Sequence, residues 1–78
     1  MSYYVLEIQT NADGTSGVIP YNFTDKADAE DKYLDLWKVA LRSSVLIHTV
    51  VFITDRGVNV RPPVSFTHPQ PEPEINEG

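Results

Sequence analysis

Apolar and polar residues alternate over residues 3–10. Tyr4, Leu6 and Ile8 fall on one side and Tyr3, Val5, Glu7 and Gln9 on the other, the period of two that predicts a half-buried strand. Asn11-Ala12-Asp13-Gly14 then predicts a turn, because Asp can bond its own backbone and Gly accepts a positive φ without steric cost. A second strand is expected from Gly17 to Phe23, with Ile19, Tyr21 and Phe23 in one register. Pro20 cannot donate a ladder hydrogen bond, so this strand is expected either at an edge or with an irregular start.

The period then changes. Thr24 or Asp25 is suited to cap a helix that runs to about Ser43. Asp25, Asp28, Glu30 and Asp31 crowd its beginning, and Lys38 and Arg42 lie near its end, the arrangement that complements a helix dipole. At about 100° per residue, Asp28, Asp31, Asp35, Lys38 and Arg42 gather on one narrow polar arc, leaving an apolar sector of roughly 220°. That is more than one small sheet covers. The flank bearing Leu34, Trp37 and Leu41, or the one bearing Val39 and Leu36, is therefore a candidate interface.

Leu46 to Thr54 is apolar in both registers, as expected of a central strand covered on both sides. Asp55-Arg56-Gly57 predicts a second hairpin turn, and Val58 and Val60 begin a fourth strand that Arg61-Pro62-Pro63 interrupts or ends. Residues 64–68 can add a short extended segment. The order β-β-α-β-β predicts an α+β domain over residues 1–68: a four-stranded antiparallel sheet with one helix on one face. Residues 69–78, rich in Pro and Glu, are expected to form a disordered acidic tail.

Size and charge sharpen this picture. A chain of 78 residues buries only about 60% of its unfolded surface, and folds of this size often gain stability from disulfides, metals or oligomerisation. There is no cysteine, and only His48 and His68 could join carboxylates around a metal, so self-association is the remaining expectation. The net charge of -5 is concentrated at the end of the chain, where Glu72, Glu74 and Glu77 lie. The rest has neither the basic stripe of a nucleic-acid binder nor the dense acidity of a DNA mimic. The amino terminus lacks a basic, then apolar, leader pattern and no run is long enough to span a bilayer, so a cytoplasmic protein without membrane contact is expected.

His48 is the residue most suggestive of chemistry, since an imidazole can titrate near neutrality. A nucleophile needs a base and an orienting group within reach, and neither Ser43, Ser44 nor Asp55 completes such a set in sequence. Asp28, Asp31 and Asp35 read as a solvated helical face. Gly14 and Gly17 bracket a hairpin turn rather than opening a helix after a strand, which excludes a phosphate-cradling loop. No cofactor or metal is implied. The better candidate is the sheet face away from the helix, expected to gather Tyr3, His48, Phe52, Asn59 and Arg61 with Val5, Glu7, Asn22 and Val50. Aromatic residues beside Arg suit a protein interface, or a nucleotide stacked on its base and held by its phosphate.

Tyr3-Tyr4-Val5-Leu6-Glu7-Ile8-Gln9, Asn11-Ala12-Asp13-Gly14-Thr15, Ser43-Ser44-Val45, His48 and the closing Asp55-Arg56-Gly57 turn together resemble a family of short uncharacterised proteins from gut bacteria and their phages. The likeness spans residues 3 to about 60. Leu46 stands where the family tends to carry Pro, and the Pro/Glu-rich tail is an addition. The resemblance implies a mobile-element setting and carries over no activity. The combined expectation is a small non-enzymatic homo-oligomeric binding protein that captures a host defence protein or a small nucleotide signal. The alternatives are a small enzyme with an interface site around His48 and a structural assembly subunit.

Overall fold

The computed structural model describes residues 1–70 of the chain. Four strands and one helix follow in the order β1 (Tyr3–Thr10), β2 (Ser16–Phe23), α1 (Lys26–Leu41), β3 (Ile47–Thr54) and β4 (Asn59–Thr67). The strands form one antiparallel sheet in the order β2-β1-β3-β4, with the helix against one face. The expected tail lies, from residue 71 on, outside the described residues. No helix among the described residues is long and apolar enough to cross a membrane.

The two hairpin turns form where Gly permits them. Gly14 and Gly57 adopt φ of 90° and 80°, the left-handed region costly for other residues. Three of the six prolines lie on the two edge strands, Pro20 on β2 and Pro62 and Pro63 on β4, where a missing donor is tolerated. β4 continues past Pro62-Pro63 to Thr67 instead of ending there. The register absorbs the prolines through irregularities opposite Val50, Phe52 and Ile53.

Asp25 caps the helix, its carboxylate accepting from the Ala27 amide at 2.8 Å. The helix ends at Leu41, two residues short of the expected Ser43, because Arg42 leaves helical geometry and the Ser43 hydroxyl accepts from the Val45 amide at 3.1 Å to start a turn. Ala29, Tyr33, Leu36 and Ala40, spaced four, three and four residues apart, form the buried stripe. They close over Val5, Val50 and Phe52, which are fully buried. The Tyr33 ring lies 5.7 Å from that of Phe52, and its hydroxyl donates to the Pro62 carbonyl at 3.1 Å, tying helix to edge strand. Burying a side chain the size of Phe52 contributes about 1.5–3 kcal/mol.

The helix covers the face of the sheet opposite to the one expected. Tyr3, Val5, Glu7, His48, Val50 and Phe52 lie beneath it, and the set containing Tyr4, Leu6 and Ile8 is left open. The polar members of the covered set, Glu7 and His48, read as outward-facing residues. They can be buried because they bond each other, His48 Nε2 lying 2.7 Å from Glu7 Oε2.

Candidate functional site

Residues directly opposed across antiparallel strands share a face. The register therefore assigns the open face row by row. Leu6 pairs with Val51 at its centre, Tyr4 with Ile53 on one side, Ile8 with Thr49 on the other, and Thr10 with Ile47 beyond. β2 extends these rows with Asn22, Pro20, Val18 and Ser16, and β4 with Asn59, Ser65 and Thr67. None of these side chains is charged. An apolar centre thus sits inside an uncharged rim in which Ser16, Asn22, Asn59, Ser65 and Thr67 are polar and Val18 and Pro20 are apolar, a composition that suits a protein interface. Leu6, Ile8, Val51 and Ile53 are only half-buried, and the shielding comes from their neighbours in the sheet, since the helix lies on the far side.

A second cluster lies under the carboxyl end of the helix. Glu7 and His48 are 5% and 1% exposed, and Gln9 Nε2 donates to the same Glu7 oxygen at 3.2 Å. Nδ1 of His48 is buried and has no partner. Beside this cluster is a shallow, open depression of about 630 Å³. Lys38, Val39, Arg42, Ser43 and Ser44 line it from the helix end, and Gln9 and His48 from the sheet. A general base needs a nitrogen that substrate can reach. Here one imidazole nitrogen is engaged by Glu7 and the other is sealed from solvent, while Lys38 and Arg42 on the rim supply positive charge.

The residues singled out in sequence do not gather in one place. Tyr3 packs edge-on against Phe52, ring centres 6.2 Å apart, so both belong to the core region along with His48. Asn59 does stand in a row of the open face, opposite Ile53. Arg61 is on the helix side, where its guanidinium grips Glu30, with Nε 2.7 Å from Oε1. On the helix flank, Leu34 and Leu41 are exposed, whereas Trp37 is half-covered by an edge-on contact with Phe66 at 5.4 Å. The open-face residues Leu6, Ile8, Val51 and Ile53 were legible as apolar alternation. Only their exposure was not.

No family model, no curated protein and no solved structure matches the chain.

Proposed function

We propose that this chain is a small non-enzymatic binding protein that acts by contact through the open face of its sheet. The observation that carries this reading is an uncharged face with an apolar centre. Isolated exposed apolar residues are ordinary, but a contiguous patch with a polar rim marks a place of association. The state of His48 supports binding over catalysis, since the imidazole is spent on holding Glu7 inside the fold.

A second reading has its own support: the depression near His48 suits a small nucleotide, whose phosphate would meet Lys38 and Arg42. The two readings separate by experiment. Thr49→Glu places a charge on the open face and is expected to abolish capture of proteins that the wild-type chain retains. Capture of the same proteins by both forms would sink the first reading. Nucleotides tested singly should raise the melting temperature of the wild-type chain and not of a Lys38→Ala, Arg42→Ala double variant if the second reading holds.

A further inference from the structure

We infer that the occupant of the open sheet face is a second copy of this chain, packed face to face in a two-fold dimer with the helices outside. The inference rests on the binding reading above and names the partner at that face. Three observations select a second copy.

The first is charge. The open face contributes no charged side chain, so two such faces meet without burying a charge or setting like charges against each other. The second is area. Four strands at a spacing of about 4.8 Å, each about eight residues long at a rise of about 3.3 Å, give a face of roughly 500 Å² per copy, or about 1,000 Å² for the pair. That reaches the threshold of about 1,000 Å² for a specific interface.

The third is the state of the edges. Pro20 in β2, and Pro62 and Pro63 in β4, interrupt the donor ladders of both edge strands. Edge-to-edge pairing, the usual alternative for an exposed sheet, is thereby disfavoured, and the face remains as the place to associate. A two-fold contact is also self-complementary: the apolar centre around Leu6 and Val51 meets itself and the uncharged rim meets the uncharged rim. Two sheets packed in this way interdigitate their side chains about 10 Å apart. The dimer is a four-layer helix-sheet-sheet-helix body, and it leaves the Lys38 and Arg42 depressions facing outward.

Sedimentation equilibrium of the full chain over a wide concentration range tests this. The expected result is a species of twice the protomer mass. Val51→Glu should raise the dimer dissociation constant by at least ~100-fold, because it buries an unpaired carboxylate. Thr49→Glu and Ser65→Glu give up at most one methyl and the exposed Thr49–Ser65 hydroxyl contact at 3.0 Å, and should dissociate the dimer while leaving the far-ultraviolet circular dichroism of the fold unchanged. Leu34→Glu on the exposed helix flank should leave the dimer intact. A wild-type chain that is monomeric throughout overturns the inference, as does a dimer that Leu34→Glu dissociates and Thr49→Glu does not. A monomer that still captures other proteins, with loss of capture in Thr49→Glu, overturns the dimer alone and leaves the binding reading standing.

Discussion

Truncating one member of the Glu7–His48 pair isolates the contact that lets two polar side chains lie beneath the helix. In the wild type His48 Nε2 and Glu7 Oε2 are 2.7 Å apart, both residues are almost wholly buried, and Gln9 gives the carboxylate a second donor at 3.2 Å. His48→Ala leaves that carboxylate beneath the helix with Gln9 as its remaining side-chain donor. Breaking a buried pair in this way costs about 3–5 kcal/mol, against a total stability of about 4–12 kcal/mol for a domain of this length. Glu7→Leu removes the other partner and leaves the imidazole with no side-chain partner, a cost of at least about 1–3 kcal/mol. The double variant Glu7→Leu, His48→Leu places two apolar groups side by side under the helix, and such replacements range from neutral to stabilising by about 1–4 kcal/mol. The double variant is therefore expected to be more stable than either single variant, with a coupling energy of several kcal/mol. The assay is a double-mutant cycle by urea unfolding at one fixed protein concentration, which keeps any self-association constant. With a slope near 1 kcal/mol per molar urea, His48→Ala should move the midpoint by about 3 M. Single variants costing under about 1 kcal/mol, or additive effects, would refute the claim that their mutual hydrogen bond is what permits burial.

Three further expectations concern local structure. Asp25→Ala removes the helix cap at the Ala27 amide and should cost about 1 kcal/mol in urea unfolding, with Asp25→Asn largely retaining it. Gly57→Ala meets no neighbouring atom but must hold φ at 80°, so it should cost about 1–2 kcal/mol through the backbone alone, and Asn at this position should cost less. The Thr15 hydroxyl at 2.6 Å, and then its amide at 3.0 Å, hold the Asp13 carboxyl below its ordinary value of 3.8. A depressed folded value means that the contribution of this turn is present above the unfolded pKa and fades as pH falls through the folded one. Carboxyl-carbon titration by NMR should show the depression, and Thr15→Val should reduce it by removing the hydroxyl while the amide remains.

Much of this protein was legible in the sequence, and each legible part rests on a short-range cause. Alternation marked the strands, Gly14 and Gly57 marked the turns, Asp25 marked the start of the helix, and Pro20 marked an edge strand. These are properties of a residue and its neighbours within one turn or one ladder step. The face of the sheet that receives the helix was decided only by the tertiary structure. Alternation sorts side chains into two sets without saying which set is inside, and here both sets of β1 and β3 contain apolar residues. Polarity pointed the wrong way, because Glu7 and His48 lie 41 residues apart and meet in a hydrogen bond only once β1 and β3 are paired. The helix flank has the same origin: Trp37 is covered because β4 runs on past Pro63 to bring Phe66 beneath it, while Leu34 and Leu41 find no such neighbour. Local chemistry determined what the elements are. Pairing between distant residues determined which of their surfaces face the world.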